Sequence, residues 1–121
     1  MNDVKEKRVP EDAPRTTDNF TRVTSKNQAL VLLALQDGRK LRKELVQRTG
    51  LDDRMVREAV SELRANGVRV ISSSSVGGYW IAETEDEYRA FRSELISGLT
   101  KIRTTICAMD RVDPDQITIE I

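Results

Sequence analysis

The spacing of apolar positions changes repeatedly along the chain, and each change marks an expected element. Up to residue 24 Val4, Val9, Phe20 and Val23 are too sparse to form a face, which predicts a disordered or loosely attached arm over 1–24. Ser25-Lys26-Asn27-Gln28 then has the form of a helix capping box. The run Ala29-Leu30-Val31-Leu32-Leu33-Ala34-Leu35 is apolar all round, as in a buried helix, and Asp37-Gly38 stops it. A second short helix fits Leu41–Arg48, with Leu41, Leu45 and Val46 facing inward and Thr49-Gly50 closing it.

Asp52 caps a third helix that runs from Asp53 to about Asn66, where Gly67 ends it. At about 100° per residue, Val56, Ala59, Val60 and Leu63 share one face, while Arg54, Arg57, Glu58 and Ser61 lie opposite. Val68-Arg69-Val70-Ile71-Ser72 is β-branched and predicts a strand, Ser73–Gly78 a small-residue loop, and Tyr79-Trp80-Ile81-Ala82 the returning strand. If Ile81 faces the core, alternation leaves Trp80 partly exposed. Thr84-Glu85-Asp86-Glu87 is a second capping box. It opens a long helix from about Glu85 to Asp110, which Pro114 prevents from extending. With Tyr88 at zero, Phe91, Leu95, Leu99, Ile102, Ile106 and Met109 fall within an arc of about 80°. Tyr88 and Phe91 are expected to pack on the preceding domain. Leu95–Met109 needs another cover: a second copy of the chain, or back-packing by the arm or the first helix. Gly98 and Thr105 interrupt a regular heptad. Residues 111–121 are read as a C-terminal tail, with Gln116–Ile121 alternating as a short strand or extended segment.

The expected fold class is therefore mainly α with a small β-hairpin. Three helices with a short second-to-third turn, followed by a hairpin over 25–82, have the layout of a winged helix-turn-helix, and the long helix of 83–110 follows it. In such a layout the outer face of the third helix meets the major groove of DNA.

Composition narrows the chemistry. Lys plus Arg and Asp plus Glu are 20 each, so the formal charge is zero and the chain is not uniformly basic. The balance is uneven, however: residues 25–82 hold ten basic and six acidic side chains, net +4, and residues 83–121 hold five and nine, net −4. A basic head with an acidic tail suits DNA contact by the head alone. Aromatic residues make up 4%, too few for a base-stacking platform. With His 0, imidazole bases and most zinc sites are excluded, and with Cys 1 no intramolecular disulfide forms. Cys107 reads as a small buried hydrophobe. No Gly-rich phosphate loop or nucleophile motif is present, so neither an enzyme nor a cofactor or metal is implied. The longest apolar run, Ala29–Leu35, is far short of the ~20 residues that span a bilayer, and no apolar leader is visible. The expected location is the cytoplasm of a bacterial or host cell, associated with the nucleoid.

The stretch Leu41–Gly67 resembles the helix-turn-helix of the biotin operon repressor type, also called the type 11 helix-turn-helix. The residues that carry the resemblance are Val46 on the first motif helix, the turn Gly50 with Leu51 next, and the core positions Val56, Val60 and Leu63. The helix end Leu63-Arg64-Ala65-Asn66-Gly67-Val68 and the hairpin close Gly77-Gly78-Tyr79-Trp80-Ile81 match as well. Small winged-helix proteins of bacteriophages and prophages are similar, and the likeness spans about residues 25–110. Asp52 stands where the family often has Ser or Thr, and no biotin-binding or ligase region follows, so ligase activity is not implied.

The expected function is sequence-specific binding of double-stranded DNA, in transcriptional regulation or phage replication. Arg54 and Arg57 with Glu58 and Ser61 form the expected reading face, and Asp53 beside Asp52 could accept from cytosine N4. Arg42 and Lys43, in the cluster Arg39-Lys40-Leu41-Arg42-Lys43, are candidates for phosphate contact, and Ser74 and Ser75 for the wing tip. Leu95, Leu99, Ile102, Ile106 and Met109 are the candidate homodimer surface. The alternatives are that these charges form an ordinary solvated face, or that the domain is an adaptor whose long helix binds a host or phage protein. Asp52 and Asp53, which repel phosphates, favour the adaptor.

Overall fold

A computed structural model describes residues 19–113 and 115. The elements are α1 (Lys26–Ala34), α2 (Arg42–Thr49), α3 (Asp53–Ala65), β1 (Val70–Ser72), β2 (Tyr79–Ile81) and α4 (Glu85–Asp110). Among the described residues the chain is thus mainly helical, with one antiparallel hairpin followed by a long helix. It divides into two units between Tyr88 and Arg89. The segment 1–18 of the expected arm and the Gln116–Ile121 strand lie outside the described residues.

Side chains satisfy the helix starts where the sequence places them. Ser25 accepts from the Gln28 N–H, Asp52 from the Met55 N–H at 2.8 Å and Thr84 from the Glu87 N–H at 3.1 Å. The reciprocal half of two boxes is displaced by one residue. Gln28 accepts from the Thr24 N–H at 2.9 Å, not from Ser25, and Glu87 accepts from Glu83 at 2.7 Å, not from Thr84. Only Glu44 returns to the residue just before its helix, Leu41, at 2.8 Å.

Apolar faces of α1, α2 and α3 build the core of the first unit. Val31, Leu32, Leu45, Val56, Val60, Leu63, Val68 and Val70 are buried together, with Phe20, Val23, Val46, Leu51, Tyr79 and Ile81 packed against them. Phe20 and Val23 thereby belong to the head and not to a loose arm, because their side chains pack on its core. Two further expectations are corrected. Leu33 is 59% exposed, so α1 is not buried all round. Leu41 precedes α2 instead of opening its inner face and is 46% exposed.

Gln28 is 3% exposed and saturated with partners: its Nε2 donates to Glu62 and Thr24, and its Oε1 accepts from Thr24 and Asn66. This network ties the start of α1 to the end of α3, and its hydrogen bonds offset the cost of taking the Gln28 amide out of water.

The hairpin register pairs Val70 with Ile81, Ile71 with Trp80 and Ser72 with Tyr79. Alternation puts Tyr79, Ile81 and Val70 on the core side and leaves Trp80 half-buried on the other face. The hairpin gains an unforeseen third partner. Lys40, between α1 and α2, exchanges both backbone hydrogen bonds with Tyr79 at 2.9 Å. Gly78 makes this approach possible, because a Cβ there would lie 2.8 Å from the Lys40 carbonyl oxygen.

Arg64 locks α3 to the hairpin: its Nε donates to the Val70 carbonyl at 2.7 Å and its Nη2 to Ser72 at 3.3 Å, with the guanidinium 5.9 Å from the Tyr79 ring centre. Partial burial pushes the pKa of this guanidinium below its ordinary value. Arg69 pairs with Glu85 at 2.8 Å and stacks 3.9 Å from the Tyr88 ring centre, fastening the first turn of α4.

In the second unit the α4 stripe is open: Leu95, Leu99, Ile102 and Met109 are 56, 61, 59 and 71% exposed. Ile106 is half-buried and Cys107 is buried. No helix among the described residues is long and apolar enough to cross a membrane.

Candidate nucleic-acid interface

Gly50 joins α2 to α3 in a left-handed turn with φ +77°, the backbone state that glycine adopts at least cost. Leu51 tucks against the core, Asp52 caps α3, and the Arg42 side chain reaches from the first turn of α2 to Asp53 at the first residue of α3. The 3.6-residue period then divides α3 cleanly. Val56, Ala59, Val60 and Leu63 are buried, while Asp53, Arg54, Arg57, Glu58 and Ser61 are exposed. Met55, at 42% exposure, adds an apolar patch to this face that charge-based reading passed over.

The charged groups of this face are paired with one another. Asp53 receives Arg42 Nε on Oδ1 at 2.6 Å and Arg57 Nε on Oδ2 at 3.2 Å. Arg54 pairs with Glu58 at 3.2 Å, one helical turn on. Lys43 is exposed and makes no ion pair among the described residues. Asp53 therefore sits between two of the expected DNA-contacting arginines, and its carboxylate is occupied by them.

The five-residue basic cluster divides by role. Arg39 donates from Nη1 to the Val76 and Gly77 carbonyls at 3.1 and 2.9 Å, which fixes the hairpin loop. Lys40 turns inward, 6% exposed, and bonds Asp37 and the Gly38 carbonyl, so it is not part of an outward phosphate clamp. The Lys40 ammonium beside Asp37 holds that carboxyl below the usual range. Of the cluster, Arg42 and Lys43 are the two that lie on α2, and both are exposed.

In the hairpin loop Ser73 does the local work. Its Oγ accepts from the Ser75 and Val76 N–H groups at 3.2 and 3.4 Å, and it shares a hydrogen bond with the Ser75 hydroxyl at 2.9 Å. Ser74 and Ser75 are exposed at the tip.

These contacts connect three segments in series. Arg39 joins the hairpin loop to the approach of α2, Leu41 lies against Gly77, and Arg42 joins α2 to the start of α3. Spacing along α3 is enough to offer the Asp53–Arg57 pair one helical turn apart, but not the hold of Arg39 on the hairpin loop or of Arg42 on Asp53, because those partners come from other elements. Among the described residues no cluster of three or more potential metal ligands occurs. Comparison of the chain with protein-family models, with curated proteins and with solved structures finds no match.

Proposed function

We propose that the chain is a winged helix-turn-helix protein, of the biotin operon repressor type, that binds double-stranded DNA and acts by binding, not catalysis. The observation that carries this reading is the connected surface from the hairpin loop through Arg42 and Lys43 to the exposed face of α3. In it, α3 enters the major groove with Arg54, Arg57, Glu58 and Ser61 at base edges, Arg42 and Lys43 take flanking phosphates, and Ser74 and Ser75 lie at the wing tip. The open α4 stripe supports a homodimer, whose two reading helices would meet half-sites about one helical turn apart. A regulator of transcription and a phage replication factor, working at the nucleoid, both fit this chemistry.

One specific observation favours an adaptor instead: Asp53 stands at the centre of the basic surface and neutralises part of it. Fluorescence anisotropy with labelled random and genomic duplexes over a salt series separates the two. DNA binding gives affinity that falls linearly with log salt. Arg57→Ala then costs about 1–3 kcal/mol, and Lys43→Ala flattens the salt slope by about one. No salt-dependent affinity for any duplex rejects the DNA reading in favour of the adaptor.

A further inference from the structure

We infer that Asp53 is a built-in stand-in for a DNA phosphate: in the free protein its carboxylate occupies Arg42 and Arg57, and on binding a phosphate of the duplex takes its place, Arg57 holding it through Nε while its terminal N–H groups reach the base edge. The inference rests on the proposed DNA-binding function and adds how that surface is regulated.

The geometry supports it at each point. The two guanidinium groups come from different helices, Arg42 from the first turn of α2 and Arg57 from the second turn of α3, and they converge on the two oxygens of one carboxylate at 2.6 and 3.2 Å. A pair of guanidinium groups holding two oxygens of one anion is also an arrangement that accepts a phosphate. Asp53 is not needed to cap α3, because Asp52 does that with its own side chain. All three side chains are about half exposed, Arg42 at 52%, Arg57 at 57% and Asp53 at 49%. Exposed ion pairs are weak and readily exchanged, so the carboxylate can be displaced without unfolding the site. Until then it keeps both arginines in a defined position while cancelling part of their attraction for any passing polyanion. The result is lower affinity for all duplexes alike.

Asp53→Asn preserves the shape and removes the charge. Asp86→Asn removes one charge from an exposed site in the first turn of α4 and serves as the control. Affinity for random duplex is measured by anisotropy across a salt series, with circular dichroism confirming that both variants fold. Asp53→Asn should bind about ten-fold more tightly near 0.1 M salt, with the log–log salt slope steeper by about one, and Asp86→Asn should change little. Equal or weaker binding by Asp53→Asn, beside a wild-type protein that binds, overturns the stand-in role and makes Asp53 a positioning group or a base contact. A gain by Asp86→Asn equal to that by Asp53→Asn overturns it too, since net charge alone would then explain the effect. If neither wild-type nor variant binds any duplex, the DNA reading itself fails.

Discussion

Replacing Gly78 with alanine should separate the head's hairpin from the segment that leads into α2, and the adjacent Gly77 supplies the matched control. Both glycines lie in the left-handed region, Gly77 at φ +75° and Gly78 at φ +85°. An L-residue there costs about 1–2 kcal/mol at either position. The surroundings differ. A Cβ at Gly77 would meet only Leu41 Cδ2 at 3.7 Å, an ordinary contact. At Gly78 it would lie 2.8 Å from the Lys40 carbonyl oxygen, so the backbone must move apart. That oxygen and the Lys40 N–H carry the 2.9 Å exchange with Tyr79. Weakening both bonds adds about 0.5–1.5 kcal/mol for each. Gly78→Ala should therefore destabilise the protein by about 2–5 kcal/mol and Gly77→Ala by about 1–2 kcal/mol. Urea unfolding followed by circular dichroism and by Trp80 fluorescence measures both. Equal losses in the two variants would refute the claim that close approach to Lys40, and not backbone conformation alone, requires glycine at 78.

Ile102→Glu should convert a dimer to monomers while the head stays folded, because it places a charge in the exposed α4 stripe; light scattering that finds wild-type protein already monomeric at tens of micromolar would dispose of the dimer. Asp37→Asn should blunt the loss of stability in acid. The native Asp37 pKa is lowered by Lys40, so its contribution is full above the unfolded carboxylate value near pH 4 and disappears as pH falls through the lower native value. Urea midpoints that drop equally for wild-type and variant between pH 5 and 3 would show that the pair contributes nothing.

Much of the architecture is legible in the residues because local rules decide it. The apolar period of α3 separates Val56, Val60 and Leu63 from Arg54, Arg57 and Ser61 before any packing is known. Ser25, Asp52 and Thr84 announce helix starts, and Gly50 and Gly67 announce stops. Partnerships between elements are hidden from such rules. Lys40 belongs by composition to a basic cluster, but its backbone joins the hairpin and its ammonium turns inward to Asp37. Leu33 and Leu41 read as core residues, yet Leu33 lies on the open side of α1 and Leu41 sits in the extended residue before α2, off its inner face. Gln28 looks like half of a local cap and is instead a buried junction with Glu62 and Asn66, residues far along the chain. At the candidate interface, periodicity gives the outward direction of Arg57 but not its shared hold, with Arg42, on Asp53. That contact joins the first residues of two different helices, which no single-helix period relates.

The most direct test of the account is a map of backbone amide NMR shifts as a short duplex is titrated into the protein. The account expects the largest changes along Asp53–Ser61, at Arg42 and Lys43 and at Ser74 and Ser75, all diminishing as salt is raised. Changes confined to Leu95–Met109, or none at any DNA concentration reached, would contradict it.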